Sequence, residues 1–395
     1  MQNGMHNSDQ IDVLIALHRI GPYHHARFCK AAESLNLAVV ETRPCSAEYP
    51  WVEITAEAYP RHALTGQSAA EEDPPNHAIE RQLHHLIDAL KPKVIVSVGW
   101  ADRAYQRLLI VATNRRIPVV IVSDSRWRDE ARSRIKERIK RLLLRGYSAA
   151  LVAGQESRSY LAALGFPPDS IFQPWDVVDE RVFMADPSHT SGPSTAHPHF
   201  LCVSRFVAKK NHLGLLAAFA SYRQQGGKWG LRLIGSGTLQ AELEAAVANC
   251  ALQGCVSILP FQQIDQLALS YQKASAFVLA SSTDQWGLVV NEAMAAGLPV
   301  LVSGACGCAV DLVSHASTGW VFPPGDAAAL TKLLHTAERQ SEQERRLMVQ
   351  AARARLQAFS LEAFAQGLQA AVAAAAENPR QDRLSCILAR ILSRR

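Results

Sequence analysis

The feature that most constrains the fold is a repeated pattern: a short apolar run, a turn and then a longer amphipathic stretch. Nine apolar runs have the length and composition of buried parallel strands. They are Ile11–Leu17, Val94–Val98, Val119–Val122 and Ala149–Ala153 in the first half, and Phe200–Ser204, Leu231–Ile234, Val256–Leu259, Ala276–Leu279 and Val300–Val302 in the second half. The stretches Arg103–Asn114 and Asp129–Leu144 between such runs have helical spacing. Strands that alternate with helices predict an α/β fold built on a doubly wound parallel sheet.

The pattern occurs twice, which predicts two Rossmann-like domains in a chain of 395 residues. Residues 186–198 lack apolar periodicity and predict a linker, because Asp, Pro, Ser, Thr, Gly and His dominate them. The domains are expected at residues 1–185 and 199–375, facing each other across a ligand cleft, with a basic amphipathic tail at 376–395. The fingerprint Gly-x-Gly-x-x-Gly is absent from the first strand–helix turn, which weakens a dehydrogenase interpretation.

Composition and the cysteine pattern limit the classes of partner and the cellular location that we expect. Hydrophobic residues make up 48% and charged residues 19%, and the net charge of +5 is too small for this length to indicate a nucleic-acid partner. The start of the sequence has no apolar signal core and no run long enough to span a bilayer, so we expect a cytoplasmic protein. The eight cysteines form no zinc or disulfide pattern and are expected to be reduced thiols.

Two basic segments leave a membrane contact open. Residues 126–145 contain nine basic and three acidic side chains, which either form a solvated face or dock on anionic lipid. The tail at 381–395 has apolar residues at helical spacing with arginines between them. The tail either forms a solvated face, docks on anionic lipid or packs against the N-terminal domain. The sequence therefore allows peripheral binding to the inner membrane face.

Two segments of the second half carry groups suited to a diphosphate. Arg205 and Lys210 lie five residues apart on a loop after a predicted strand, where an arginine fork and a lysine point charge can face one anion. The alternative is a solvated basic loop. Gly235, in the run Gly-Ser-Gly after the next strand, permits close approach of the backbone to a ligand, although such a run alone predicts only a turn.

The strongest motif spans residues 281–299. Asp284 lies on the turn before a helix expected to begin near Gly287, and Glu292 follows within that helix. The amides of Gly287–Val289 would then face outwards at the positive end of the helix dipole. A structural alternative makes Asp284 a helix cap and Glu292 a surface residue, but the otherwise apolar helix argues against an exposed Glu292.

Together these segments resemble the retaining glycosyltransferases of the GT-B fold, in family 4, which is the family of glycosyl transferases group 1. The Asp-x7-Glu motif runs into Ala-Met-Ala-Ala-Gly-Leu-Pro, as the family's Glu-x7-Glu motif does. Residues 176–183, 304–311 and 319–326 are similar to further family segments, so that the resemblance covers most of the chain.

The resemblance implies an enzyme that moves a sugar, with retained configuration, from a nucleotide-diphosphate sugar, most simply a UDP-sugar. The acceptor would be a glycan, a lipid-linked sugar or a small molecule, as in polysaccharide biosynthesis. Arg205 and Lys210 would neutralise the diphosphate without a metal or other cofactor. Asp284 would bind the transferred sugar and Glu292 the ribose. The implied donor-binding residues are Arg205, Lys210, Gly235, Phe261, Gln262, Asp284, Trp286, Gly287, Leu288, Val289 and Glu292.

Two departures from the family affect the site. Asp284 stands where a glutamate is usual, so the carboxylate is one methylene shorter. The family also often has a histidine after a strand of the N-terminal domain, where this chain has Ser123 and Asp124. Candidate acceptor-binding residues are otherwise chosen for their place after predicted strands, with ordinary loop or core roles as alternatives. They are Gly21, Tyr23, His24, His25, Trp100 and Asp124.

Three other functions are alternatives to the glycosyltransferase interpretation. A nucleotide-sugar epimerase would have the same fold, but residues 284–292 resemble the transferases better. A sugar phosphorylase would need a lysine that binds pyridoxal phosphate, and no such signature is evident. A nucleotide-sugar binding protein that has lost turnover fits Asp284 and the missing histidine.

Overall fold

The computed structural model describes residues 10–44, 51, 54, 58–64, 75–184 and 197–394. The chain divides into two compact units. The first unit contains residues 1–175 and 361–395, and the second unit contains residues 176–360.

The first unit is built on a parallel sheet of seven strands in the order β3-β2-β1-β4-β5-β6-β7. Reversal of the order at β1 makes it a doubly wound sheet. Its elements up to residue 172 are β1 (Val13–Leu17), α1 (Pro22–Ala32), β2 (Leu37–Glu41), β3 (Arg61–Ala63), α2 (Asn76–Leu90), β4 (Val94–Ser97), α3 (Arg103–Asn114), β5 (Val119–Ser123), α4 (Arg134–Leu144), β6 (Ala149–Val152), α5 (Gln155–Ala163) and β7 (Ile171–Phe172).

The second unit has a six-stranded parallel sheet in the order β10-β9-β8-β11-β12-β13. Its elements are α6 (Glu180–Phe183), β8 (His199–Val203), α7 (His212–Gln224), β9 (Gly230–Ile234), α8 (Gln240–Asn249), β10 (Val256–Leu259), α9 (Ile264–Lys273), β11 (Ala276–Leu279), α10 (Val289–Ala295), β12 (Val300–Ser303), α11 (Cys308–Leu312), β13 (Trp320–Phe322), α12 (Ala327–Arg339) and α13 (Glu342–Leu356). Two further helices, α14 (Leu361–Glu377) and α15 (Arg383–Leu392), return to the first unit.

Burial explains why continuous apolar runs form these strands. Every residue of β1, β4, β5 and β6 is buried, because helices cover both faces of the sheet. Strand β1 lies between β2 and β4, with Val13 opposite Leu37 and Val94. The predicted α/β fold with two doubly wound sheets is confirmed.

The predicted helix at residues 129–144 begins too early. Asp129 accepts hydrogen bonds from the backbone N–H of Arg126, at 2.6 Å, and from its guanidinium. Arg126 is buried and also pairs with Glu156, at 2.8 Å. This local turn holds Asp129 outside the helix, and α4 begins at Arg134. Four short strands, β2, β3, β7 and β13, were not among the predicted ones.

The unit boundaries differ from the predicted domains. Helix α14 was assigned to the second domain, yet it contacts α1, β6 and β7 of the first unit. Its Gly367 lies so close to Gln173 that an added Cβ would be 2.7 Å from the Gln173 carbonyl oxygen. Helix α15 packs against α3 and α4, as in the interpretation that the tail covers the N-terminal domain. Most of the predicted linker at 186–198 lies outside the described residues.

Two further observations concern location. None of the helices in the described part of the chain has the length and apolar character that a bilayer-crossing segment needs. The seven cysteines within the described ranges are all free thiols.

Candidate functional site

The second unit brings the predicted donor-binding segments together at one edge of its sheet. The loops after β8, β9, β10, β11 and β12 all follow the carboxyl ends of parallel strands. In an open α/β sheet this edge is where ligands bind. Backbone hydrogen bonds connect the loops, including Ser282 N–H to Lys209 O at 2.9 Å and Gly307 N–H to Asp284 O at 3.0 Å.

The loop that carries Arg205 is held by the two glycines after β9. The N–H of Phe206 donates to Ser236 O at 2.8 Å. A Cβ on Gly235 would lie 2.0 Å from Ser204 O, and a Cβ on Gly237 would lie 2.4 Å from Phe206 O. Glycine is therefore required on both sides of Ser236, because the two loops pack backbone to backbone. The Gly-Ser-Gly run thus positions the Arg205 loop.

Lys210 and Asp284 form an ion pair between the loops after β8 and β11. Both side chains are largely buried, with 12% and 10% of their surfaces exposed. Ser281 Oγ lies 3.5 Å from the same Asp284 oxygen. The structure therefore places the predicted phosphate-binding lysine and the predicted sugar-binding carboxylate beside each other.

Gly287 sets the start of α10. Its φ of +99° lies in the left-handed region, and a Cβ there would be 3.1 Å from Leu279 Cδ2. The helix expected to begin near Gly287 therefore begins at Val289, with Leu288 as its N-cap. Asp284 does not cap this helix, so the structural alternative for that residue is wrong.

Glu292 is buried, with 1% of its surface exposed, so the surface alternative for this residue is also wrong. Trp286, which the sequence placed among the donor-binding residues, is buried as well. Its indole N–H donates to Asn291 Oδ1 at 2.9 Å, and its ring lies 5.1 Å from that of Phe359. Its side chain therefore packs in the core beneath the loop and anchors α10 to its neighbours.

Phe261 and Gln262 follow β10 at the same edge of the sheet and are both half-buried. Gln262 Oε1 accepts a hydrogen bond from Ser270 Oγ of α9, at 2.7 Å. The loop before them is joined to the glycine loop, since Gly235 N–H donates to Leu259 O at 3.1 Å. Their position suits contact with the base of a nucleotide.

A buried histidine that the sequence reasoning did not single out supports the Arg205 loop. His212 Nε2 lies 2.9 Å from Ser204 Oγ, and its ring packs edge-on against Phe206, with ring centres 5.1 Å apart. Burial, with a smaller contribution from the charge of Lys210, lowers the pKa of His212 to about 4. His212 is therefore neutral at pH 7. Its position directly after Lys210-Asn211, at the start of α7, was the available signal.

We expect His212 to make the second unit less stable in acid. The ordinary pKa of 6.5 exceeds the folded value, so only the unfolded chain takes up this proton as the pH falls from about 6.5 towards 4. The stabilisation is complete above that window, and about 2 kcal/mol should be lost by about pH 5. Urea unfolding of His212→Gln should depend less on pH than that of the wild type. An unchanged pH dependence in His212→Gln, matching that of the exposed His315→Gln, would contradict this expectation.

In the first unit, the proposed acceptor loop is partly helical. Pro22 occupies the first position of α1, which suits its fixed φ, so His24 and His25 lie in the first turn of a helix. His24 Nδ1 accepts a hydrogen bond from Gly21 N–H at 3.3 Å. Burial lowers the pKa of His24 to about 3, with Arg27 adding to the effect, and burial also lowers the pKa of His25. These histidines are therefore not ordinary solvated loop residues.

The other acceptor candidates lie at the carboxyl edge of the first sheet. Tyr23 and Gly21 follow β1, the half-buried Trp100 follows β4 and the exposed Asp124 follows β5. Two charged residues and a histidine that were not among the sequence candidates meet at this edge. Asp102 Oδ2 lies 2.7 Å from Arg43 Nη2 and 3.7 Å from His18 Nε2. They follow three different strands, so only the fold brings them together.

Metal ligands are not clustered in the ranges that the structure describes, where no group of three or more His, Cys, Asp or Glu side chains could hold an ion.

Comparison with known proteins assigns the second unit. A model of the family described as glycosyl transferases group 1 matches residues 189–355. This segment is therefore similar to the domain of group 1 glycosyltransferases. It contains every donor-binding residue predicted from the sequence.

Sequence relatives of the chain include two bacterial glycosyltransferases. The amylovoran biosynthesis glycosyltransferase AmsK of Erwinia amylovora is 36% identical over 140 residues, 34% of each chain. The putative colanic acid biosynthesis glycosyltransferase WcaL of Salmonella typhimurium is 28% identical over 181 residues, 44% of this chain and 43% of the relative. The chain thus spans less than half the length of the curated relatives it matches.

Solved structures show the same fold along almost the whole chain. Anabaena HepE in complex with UDP has a TM-score of 0.73 and 18% identity, covering 92% of this chain and 99% of HepE. Sucrose-phosphate synthase from Thermosynechococcus elongatus has a TM-score of 0.70 and 19% identity, covering 91% of this chain and 97% of that one. The predicted GT-B fold is therefore confirmed.

Proposed function

We propose that the chain is a retaining glycosyltransferase of family 4 that transfers a sugar from a nucleotide-diphosphate sugar. The observation that carries the proposal is the largely buried ion pair of Lys210 and Asp284, which joins the loops after β8 and β11 within the segment that matches the group 1 model. Arg205 lies on the first of these loops, and Glu292 lies in the helix that follows the second. Such an arrangement combines cations for a diphosphate with carboxylates for hydroxyl groups.

Each side chain has a distinct role in this proposal. Arg205 and Lys210 neutralise the diphosphate, whose negative charge grows as the bond to the anomeric carbon breaks. Preorganised charges of this kind often contribute most to catalysis. Asp284 accepts hydrogen bonds from sugar hydroxyls while Lys210 holds it in place, and Glu292 accepts them from the ribose. Phe261 and Gln262 contact the base, and backbone amides of residues 287–289 help to hold the phosphate or sugar.

Retention is proposed to follow from attack on the face that the leaving group occupies. The acceptor oxygen forms the new bond, the nucleoside diphosphate leaves with the electron pair of the old bond, and its phosphate oxygen takes the acceptor proton. The positive charge of Arg205 and Lys210 replaces a metal ion, so EDTA should leave turnover unchanged.

The donor and the acceptor are proposed from the named relatives. HepE was solved with UDP and with UDP-glucose, which supports a UDP-sugar. AmsK is named for amylovoran biosynthesis, which supports a polysaccharide or its lipid-linked precursor as acceptor. In the first unit, Gly21, Tyr23, His24, His25, Trp100 and Asp124 are proposed to bind it. A cytoplasmic location is proposed as well, because the cysteine spacing in the sequence is not that of a disulfide framework.

A donor panel tests the proposed function. Purified protein is incubated with UDP-, GDP- and ADP-sugars, and release of nucleoside diphosphate and thermal stabilisation are both measured. Slow hydrolysis of one sugar nucleotide, with no effect of EDTA, is the expected result. Stabilisation by a sugar nucleotide without turnover, even with acceptors added, would favour the alternative of a nucleotide-sugar binding protein. Interconversion of the sugar without its release would favour an epimerase.

A further inference from the structure

Helix α15 packs Leu388 and Leu392 partly against the core of the first unit, yet three of its large apolar residues face outwards. Ser385, Ala389 and Ser393 are buried, and Ser385 Oγ donates to Leu143 O of α4 at 2.7 Å. By contrast, Leu384, Ile387 and Ile391 are 58%, 55% and 52% exposed. A surface helix normally turns its large apolar residues towards the core, so this arrangement leaves a costly apolar stripe in solvent.

Helix α4, which contacts α15, exposes a matching surface. Arg134, Arg138, Arg141 and Arg145 are all exposed and follow one another at helical spacing. Like charges three or four residues apart on a helix repel each other, so this row of arginines does not stabilise the helix itself. Ile135 and Leu142 lie beside this stripe and are exposed as well.

Carboxylates are absent from the outward faces of both helices. In α4 the only acidic residue is Glu137, which is turned inwards to Lys140 and Tyr160. Helix α15 contains no acidic residue, and Asp382 before it caps the helix and pairs with Arg145 at 2.7 Å. The combined surface, called here the α4–α15 surface, presents exposed arginines and exposed large apolar residues. Its arginines are Arg134, Arg138, Arg141, Arg145, Arg383, Arg390 and Arg394.

We propose that the α4–α15 surface docks the protein on a membrane rich in anionic lipids. The arginines would lie at the lipid phosphates, and Leu384, Ile387 and Ile391 would enter the boundary between headgroups and acyl chains. A nucleic acid would pair with the arginines but would leave these apolar residues exposed, so the combination favours lipid. Docking depends only on the first unit and is independent of the glycosyltransferase activity proposed above.

Vesicle flotation of the full chain tests the proposal. The wild type should float with vesicles of phosphatidylglycerol and phosphatidylcholine but not with phosphatidylcholine alone, and salt should weaken binding. Arg138→Gln with Arg390→Gln should reduce partitioning about 30-fold, because each arginine at an anionic surface contributes about 1 kcal/mol. Ile387→Ser with Ile391→Ser should reduce it too, and it is expected to fold because both side chains are exposed.

A matched control comes from the second unit. Arg339→Gln with Leu347→Ser removes one exposed arginine and one exposed leucine from helices α12 and α13 and should bind vesicles like the wild type. Circular dichroism shows whether each variant is folded. The proposal is overturned if the wild type does not float, if it floats equally well with neutral vesicles, or if the control loses binding equally. The proposal is also overturned if the wild type does not float but self-associates or binds DNA, and if Ile387→Ser with Ile391→Ser abolishes that binding. The surface would then be assigned to a second copy of the chain or to DNA.

Discussion

Replacing Arg205 with alanine should lower kcat about 100- to 1,000-fold, the range found when one preorganised group that stabilises developing charge is removed. Arg205 lies on the loop that Gly235 and Gly237 hold in place, so its guanidinium is presented from a rigid backbone. The loss should appear mainly in kcat, because the charge on the leaving diphosphate increases in the transition state. Steady-state kinetics with the donor identified by the panel measures it.

Lys209 offers a matched control for this change. It lies on the same loop and carries the same charge, but its Nζ is directed to Gln285 Oε1, at 3.5 Å. Lys209→Ala should therefore keep turnover within about 3-fold of the wild type, as expected for a surface change away from the reacting groups. If Lys209→Ala and Arg205→Ala lowered kcat equally, the position of Arg205 would not matter. The loop would then act only through its total positive charge.

Lys210 needs a separate stability measurement. Its ion pair with Asp284 is largely buried, and removal of one partner from such a pair commonly costs about 3 to 5 kcal/mol. A loss of activity in Lys210→Ala therefore combines a catalytic effect with a structural one. Lys210→Ala together with Asp284→Asn removes both charges, and comparison of its unfolding midpoint with that of the single variant separates the two effects.

The strands and the site residues of the second unit were accessible from the sequence, because continuous apolar runs mark buried parallel strands. Residues after such strands share one edge of the sheet whatever the details of packing. Arg205, Asp284 and Phe261 could thus be placed together from their positions alone. The pairing of Lys210 with Asp284 could not, since it depends on how two loops distant in sequence fold over each other.

Other features depend on tertiary packing that no local pattern encodes. Helix α10 begins at Val289, two residues after Gly287, because Gly287 adopts a left-handed conformation. Glycine permits this conformation, but its presence in a sequence does not show that the conformation is adopted. Helix α14 is rich in alanine and buries an apolar face that includes Phe364, Leu368 and Val372. Such a face indicates that the helix covers a sheet but does not indicate which one. Helix α15 has apolar residues on two sides: Leu388 and Leu392 pack against the core, whereas Ile387 and Ile391 are exposed. Helical periodicity alone does not indicate which of these residues are buried.

Glu292 and Asp284 should differ in which part of the donor they bind. If Glu292 accepts hydrogen bonds from the ribose, Glu292→Gln should weaken the nucleoside diphosphate and the sugar nucleotide equally, by about 10-fold, because a neutral acceptor replaces a charged one. Asp284→Asn should weaken the sugar nucleotide relative to the nucleoside diphosphate, because only the sugar nucleotide has the sugar that Asp284 contacts. Any change at Lys210, which pairs with Asp284, affects both ligands alike because both carry the diphosphate. Calorimetric titration of each variant with both ligands measures the difference.

The contrast between the two ligands makes this test specific to the assigned roles. Glu292 is almost fully buried, so a merely structural role would lower the unfolding free energy, which urea denaturation measures. A ribose contact instead lowers the affinity for both ligands while the unfolding free energy stays close to that of the wild type. The exposed Glu242→Gln on α8 removes the same charge from the same unit and should leave both affinities unchanged. If Glu292→Gln weakened the sugar nucleotide alone, the two carboxylates would have exchanged roles. The shorter side chain of Asp284 would then lie at the ribose, with its position still set by Lys210.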